Sequence, residues 1–433
     1  MVRKQAGVAR AKGYVRRRGN SFQVIVYAGI DPLTGKEHYL TRSSTSEDEA
    51  GRILARMLAE VEDGRNARTR ATLSTALDAW LRVHEADEST LRSYERYARR
   101  YIRPALGDLA VGKVSAQLLE EFYAELRRCR DRCDGRAATD HRTASPHECR
   151  VIRHRSRRRV HECAEAGCVT VECQPHRCQP LAASTIRQVH FTISATLAAA
   201  VRWDWIKSNP AIVAKKPRQP RPQPDPPSPE QAARIIEAAW GQDDSWGTFV
   251  WLTMVTGMRR GELLALRWHD VDLAAGMLQI RRNYVWLAGR AVEKDTKTHQ
   301  MRRIALDQAT VEVLAAHRKL YEARVRGIGQ DPTDQAFLFS HQAEADKPFH
   351  PDAVSHRYGA MCATLGIDSH LHALRHYSAT ELLTAGVDLR TVAGRLGHAG
   401  GGATTLRVYA AWVGESDRRA AEILGSRLHR PSR

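Results

Sequence analysis

The sequence predicts a multidomain α+β protein. It should hold a small N-terminal three-stranded sheet plus helix, a helical domain, and a mainly α domain carrying a small β-sheet. Three observations lead there. The chain has 433 residues, more than one hydrophobic core usually organises. The run KKPRQPRPQPDPPSP at 215–229 divides it, because proline this dense holds the backbone extended and excludes helix. Apolar residues alternate in 21–30 but recur at helical spacing through most of the remaining chain.

The first element is the sheet. SFQVIVYAGI at 21–30 places Phe22, Val24 and Val26 on one face, DPLTGK supplies turn residues, and EHYLTRSS provides a returning strand. Ser46-Glu47-Asp48-Glu49 reads as a capping box. The helix it opens carries Ile53, Leu54, Met57, Leu58 and Val61 on one side. Arg16, Arg17 and Arg18 precede the strands, and such a module can dock in a DNA groove; the plainer reading is a solubilising module.

Helices follow. Leu73, Leu77, Trp80 and Leu81 recur at helical spacing. A second helix starts near Ser89, read as its N-cap, with Leu91, Tyr94, Tyr97 and Tyr101 on its apolar face. VSAQLLEEFYAELRR makes a third, and Ser184 to Ile206 a fourth. These four should pack together, with their tyrosines and tryptophans in the core rather than stacked on bases. An insertion at 129–180 interrupts them. It holds seven of the eight cysteines together with His141, His147, His154, His161 and His176. A loop so poor in apolar residues and so rich in soft ligands points to structural zinc, which would supply the folding free energy it lacks. The candidate ligands are Cys149, Cys163, Cys168, Cys173, His176 and Cys178. The competing reading is a mobile basic loop with free thiols.

Beyond the proline run, Ser228 is a helix N-cap with Pro229 at the first helical position. GTFVWLTMVTG is an apolar helix stopped by Gly257. Strands are expected near Met277–Trp286 and Arg302–Leu306, with Lys297 in the segment before the second. The domain plan is therefore 1–66, 70–214 with the insertion, the linker 215–229, and 230–433.

The net charge is +18 and the pI about 9.9. Arginine dominates, and its fork suits phosphate, so a polyanion is the expected partner and nucleic acid the first candidate. Lys215 and Lys216 in the linker, with Arg16, Arg17 and Arg18, are candidate DNA contacts. No apolar run is long enough for a bilayer, and the first twenty residues lack a signal-peptide core. A cytoplasmic location without membrane contact is expected, with cysteines as thiols or metal ligands.

The chemistry concentrates in SHLHALRHYSATELLTAGVDLRTVAGRLGHAGGGATTLRVYAAW at 369–412. His372 and Arg375 stand three residues apart and share a helix face; His376, His398 and Tyr409 follow. Cations, imidazoles and a phenol in one short stretch suit reaction at an anionic ester. Upstream, Arg259 and Glu262 are also three apart, so the carboxylate can fix the guanidinium while leaving part of its fork for a phosphate.

The motifs TGMRRGELLALRW, TKTHQMRR with IAL, HALRH, RLGH and TTLRVY occur in the order found in tyrosine recombinases, and the chain resembles the phage-integrase family. The resemblance implies an arm-type DNA-binding domain at 1–66, a core-binding domain at 70–214 and a catalytic domain at 230–433. It implies that Arg259 and Arg375 clamp the scissile phosphate. It makes Lys297 the general acid for the 5′-hydroxyl, and has His372 assist proton transfer and His398 bond a phosphate oxygen. Glu262 would support Arg259, and Tyr409 would be the nucleophile. Two guanidiniums and an imidazole aimed at the non-bridging oxygens are the kind of preorganised charge that dominates such catalysis. No cofactor is needed for that chemistry. The expected partners are double-stranded DNA attachment sites, a homotetramer on DNA, and a directionality factor. Two departures stand out: the Cys/His insertion, and a glycine turn at 400–402 that lengthens the path from His398 to Tyr409. The rival phenols are Tyr358 and Tyr377. Competing functions are a type IB topoisomerase-like enzyme and a non-catalytic or zinc-dependent DNA-binding protein.

Overall fold

The computed structural model describes residues 13–62, 68–143, 145–155, 160–219, 224–295 and 301–398. By internal contacts the chain divides into two units, Met1–Pro220 and Arg221–Arg433.

The first unit opens with β1 (Gly13–Arg18), β2 (Ser21–Ile30) and β3 (Glu37–Ser44), an antiparallel meander in the order β1-β2-β3. Val24 and Val26 alternate inward and are fully buried under helix α1 (Glu47–Glu62), whose Ile53, Leu54, Met57, Leu58 and Val61 pack on them. The start of α1 differs from the expected capping box. The Glu49 amide reaches the Ser46 hydroxyl at 3.5 Å, but the Glu49 carboxylate accepts from the Ser44 hydroxyl at 2.6 Å. A second serine two residues upstream, at the end of β3, outcompetes the reciprocal bond.

The helices come next: α2 (Leu73–Val83), α3 (Glu88–Tyr97), α4 (Arg103–Leu106) and α5 (Ala116–Arg128). A wide-turned stretch, Ala98–Ile102, joins α3 to α4. Asp87 rather than Ser89 caps α3, its carboxylate accepting from the Ser89 amide at 2.8 Å. Acidic oxygen is as good a cap as a hydroxyl, and Asp87 is placed one residue before the first turn. Between α5 and α6 (Ala183–Arg202) the described residues of the insertion contribute only short strands, β4 (Thr139–Asp140), β5 (Arg150–Arg153), β6 (Val169–Glu172) and β7 (Gln174–Pro175), paired β4-β7 and β5-β6. The short helix α7 (Pro210–Val213) follows α6. One core unites these helices, with Leu73, Leu77, Ile102, Leu119, Tyr123, Ile193 and Leu197 fully enclosed. Each such side chain contributes roughly 1.5–3 kcal/mol. The aromatics Trp80, Tyr101, Tyr123 and Trp205 are buried, as expected of core residues.

In the second unit, α8 (Pro229–Trp240) begins as the sequence indicates: Ser228 accepts from the Gln231 amide, and Pro229 occupies the first turn. Helix α9 (Asp244–Thr256) runs through the core and ends at Gly257, whose φ of 61° is left-handed. Then come α10 (Arg260–Leu264), β8 (Val271–Asp272), β9 (Met277–Ile280), β10 (Arg282–Leu287), β11 (Arg290–Asp295) and β12 (Arg302–Ala305). The single strand expected over Met277–Trp286 is two. β9 pairs with β12 and β8, while β10 folds back on β11 as a separate hairpin. Its two-residue turn is Ala288-Gly289, with φ of 53° and 75°, the positive pair that matches strand twist. Helices α11 (Gln308–Gly327), α12 (Pro351–Thr364), α13 (Leu371–Thr384) and α14 (Leu389–Leu396) complete the unit. Trp246, Phe249, Leu263, Leu314, Tyr358 and Leu374 form its core.

Candidate active site

Two left-handed glycines organise the site. Gly257 ends α9 and Gly397 ends α14, at φ 61° and 68°. A Cβ on Gly257 would lie 2.5 Å from Leu396 Cδ2, and one on Gly397 would lie 2.7 Å from Arg302 Nη1. The chain turns back sharply at both points, which only glycine tolerates. Both carbonyls then face inward, and each holds a guanidinium. Arg375 Nη1 donates to Gly257 O at 2.6 Å, and Arg259 Nη2 donates to Gly397 O at 2.9 Å.

Glu262 lies beneath them, 1% exposed. Its Oε1 accepts from Arg259 Nη1 at 2.8 Å and Arg302 Nη1 at 3.2 Å. Its Oε2 accepts from the Arg259 amide at 3.0 Å and Arg302 Nη2 at 2.6 Å. Four donors fill a carboxylate's acceptor capacity. Burial alone would raise this carboxyl; the bonds and charge of Arg302, with the charge of Arg259, outweigh it and hold Glu262 below its ordinary range. The expected Arg259–Glu262 contact is present, but Arg302 supplies half of Glu262's bonds and had no assigned role in the sequence reading. Its only signal was a second arginine beside the strand IAL. Arg302 also donates to Arg395 O at 3.0 Å, and Arg395 reaches the carbonyls of Ala305 and Val255. Three arginines thus fasten the end of α14, and with it His398.

His372 and Arg375 occupy one face of α13, as their spacing requires. The His372 ring stands 4.9 Å from that of His376. Crowding by neighbouring protein, then the charges of His376, Arg375, His370 and Arg259, push His372 down to about 4, although the residue itself is exposed at the surface. Burial, then Arg375, Arg259, His372 and His376, do the same to His398, also to about 4. The mutual influence of Arg259, His372, Arg375 and His398 places these four groups in one neighbourhood. Like charge gathered this way, with its single carboxylate buried beneath, is poised for an anion.

Tyr358 is fully buried, its hydroxyl 3.1 Å from Ser369 Oγ. Burial raises the Tyr377 phenol, which lines an apolar groove with Pro229, Ala232, Ile236, Trp251 and Leu382. Lys297 and Tyr409 lie outside the described residues. In the first unit Arg16, Arg17 and Arg18 are exposed on β1, with Arg16 Nε bonded to Gln23 Oε1 at 2.9 Å. Lys215 and Lys216 are exposed; Lys216 Nζ lies 5.9 Å from the Phe191 ring. The six candidate metal ligands do not meet at one point. Cys149 and Cys173 fall in one group, Cys163 and Cys168 in a second, and His176 and Cys178 in a third.

Residues 228–412 match the model of the phage integrase family. The chain is similar to the ICEBs1 integrase of Bacillus subtilis, 26% identical over 231 residues, which are 53% of this chain and 62% of that protein. It is similar to the prophage integrase IntR of Escherichia coli, 26% identical over 260 residues, 56% of this chain and 62% of that one. The match therefore spans less than two thirds of these relatives' length. Among solved structures, the Tn1549 transposon integrase in complex with transposon right end DNA has a similar fold. Its TM-score is 0.59 at 18% identity, covering 82% of this chain and 99% of that one. A lambda integrase dimer bound to a core site gives 0.51 at 15%, covering 96% and 97%. No helix among the described residues is long and apolar enough to cross a membrane. Over residues 228–412, therefore, this chain is similar to the phage integrase family.

Proposed function

We propose that the protein is a site-specific DNA recombinase that integrates or excises a mobile element through a 3′-phosphotyrosine intermediate. The observation that carries this is the convergence of Arg259, His372, Arg375 and His398 over the buried Glu262. In this reading Arg259 and Arg375 bind the non-bridging oxygens of the scissile phosphate, and His398 bonds one of them. The Tyr409 oxygen attacks phosphorus while His372 assists removal of its proton. The bond to the 5′-oxygen breaks, and Lys297 delivers a proton to that leaving group. A phosphodiester is exchanged for a phosphotyrosine, so bond energy is retained and a second strand's 5′-hydroxyl reverses the step without a cofactor.

The domain plan fits this role: an arm-type module at 1–66, core-binding helices at 70–214, the linker 215–229, and catalysis at 230–433. Arg16, Arg17, Arg18, Lys215 and Lys216 would contact phosphate backbone. The solved relatives include a lambda integrase tetramer bound to a Holliday junction. A homotetramer on paired attachment sites, steered by a directionality factor, is the corresponding assembly here.

A nicked suicide substrate, trapped and resolved by denaturing gel, tests the assignment. The wild-type chain should form a covalent adduct, and Tyr409→Phe should bind the same DNA but form none. An adduct persisting in the variant would exclude Tyr409 as nucleophile.

A further inference from the structure

Among its described residues, the insertion between α5 and α6 has no hydrophobic core of its own. Of its apolar residues, Ile152, Val160 and Val169 are 51%, 91% and 47% exposed. Among described residues, only Cys129, at its base, is a buried member of the apolar set. Ordering a residue costs about 1–2 kcal/mol, and two hairpins of two and four residue pairs do not offset that over fifty positions. Something else must hold the segment together.

Its cysteines and histidines gather into three groups of four: Cys129, Cys133, His176 and Cys178; His141, His147, Cys149 and Cys173; and His154, His161, Cys163 and Cys168. Within each group all ligand atoms lie within 4.8 Å of one another. The third group defines a tetrahedron most fully. His154 Nδ1 to His161 Nε2 is 3.1 Å, and His161 Nε2 lies 3.1 Å from Cys168 Sγ and 3.9 Å from Cys163 Sγ. His154 Nδ1 lies 3.6 and 3.7 Å from the two sulfurs. Metal–nitrogen and metal–sulfur bonds of about 2.0 and 2.3 Å at tetrahedral angles require edges of roughly 3.3–3.8 Å.

We propose that three zinc ions, one per group, take the place of the missing core, in one three-thiolate, one-imidazole site and two sites of two thiolates and two imidazoles. The groups behind the ligands fit this. His176 offers Nε2 to Cys129 Sγ at 3.3 Å while its Nδ1 meets Asp140 Oδ1 at 2.6 Å. His147 offers Nε2 to Cys173 Sγ at 3.1 Å while its Nδ1 meets Ser145 O at 2.8 Å. A ligand imidazole held at its other nitrogen by a carboxylate or carbonyl is how metal-binding histidines are oriented. Disulfides fit poorly. The sulfurs of Cys133 and Cys178 are 3.3 Å apart, beyond a disulfide bond; the base group has an odd number of sulfurs; and the five histidines would have no part.

The sites are nested. The innermost closes 154–168, the next adds 141–149 and Cys173 across the β5-β6 hairpin, and the base site joins Cys129 and Cys133 to His176 and Cys178 across β4-β7. Each contains one His-x-Cys pair: His147 with Cys149, His161 with Cys163, His176 with Cys178. The tip site needs neither of the others, so removing it should cost one ion and leave two.

Elemental analysis of the full-length protein, reconstituted with excess zinc and desalted, tests this. Three equivalents per chain are expected, falling to two in Cys163→Ser with Cys168→Ser. Cobalt(II) substitution should give the intense visible absorption of tetrahedral sites with sulfur-to-metal charge transfer, reduced by a third in that variant. Limited proteolysis after chelation should cut within 130–180 and spare the flanking helices. Two or fewer equivalents in the wild type, loss of more than one at the tip variant, or cysteines found as disulfides by mass spectrometry would overturn the proposal.

Discussion

Arg302→Ala isolates the ion cluster under the candidate active site. The substitution removes two of the four donors on Glu262, at 3.2 and 2.6 Å, and leaves the amide and one guanidinium nitrogen of Arg259. Stripping a partner from a buried ion pair costs about 3–5 kcal/mol. Arg259 still pairs with the carboxylate, so the low end, about 3 kcal/mol, is expected. The sign with pH follows from Glu262. Its folded-state pKa is depressed, so its ionised form contributes stability above the ordinary value of 4.5 that is lost as pH falls through the folded value. The penalty of Arg302→Ala should therefore be largest near neutrality and shrink in acid. Hydrogen exchange on peptides spanning Arg259–Leu264 and Arg302–Ala305 reports the local opening free energy even if the two units unfold separately. Glu262→Gln in the same background removes the stranded charge, so the double variant should lose less than the sum of the singles by about 2 kcal/mol. A loss under about 1 kcal/mol for Arg302→Ala, or strict additivity, would refute the view that this cluster is held by charge pairing.

Gly257→Ala combines a left-handed backbone with a Cβ 2.5 Å from Leu396 Cδ2. It should destabilise the second unit by about 2–4 kcal/mol and displace the carbonyl that holds Arg375, with strand cleavage falling before DNA binding does. Near-wild-type cleavage rates would argue against that anchor. His372 and His398, held near 4, are neutral at pH 7 in the DNA-free protein. A phosphate placed beside them raises both values, so binding takes up protons and DNA affinity should strengthen as pH falls below neutrality. Anisotropy at constant salt measures this, and His398→Gln should flatten the slope; a pH-independent wild type would contradict it. For folding, the depressed values mean the unfolded chain binds protons first, from its ordinary 6.5 downward. The protein should lose stability as pH falls from there toward 4.

What was legible in the sequence depended on how far apart the interacting residues lie. Contacts within one helical turn were readable: Arg259 with Glu262, His372 with Arg375, Ser228 under Pro229. Arg302 was not, because it meets Glu262 from a strand forty positions away, and no local period encodes that meeting. The Ala288-Gly289 turn carried a weak signal, since alanine rarely adopts positive φ, and the expected strand stopped short of it at Trp286. The candidate metal ligands show the same limit more sharply. Cys173, His176 and Cys178 look like one cluster in sequence, yet Cys173 belongs with His147 while the other two belong with Cys129 and Cys133. Extended backbone explains the division. Residues two apart project from the same side of a strand, about 6.8 Å apart, while residues three apart project from opposite sides at about 10 Å. His176 and Cys178 can therefore share an ion, and Cys173 and His176 cannot. Each group holds one His-x-Cys pair, so a spacing that marks each group was present in the sequence. The partners that complete each site come from the other side of a hairpin, and only the fold selects them.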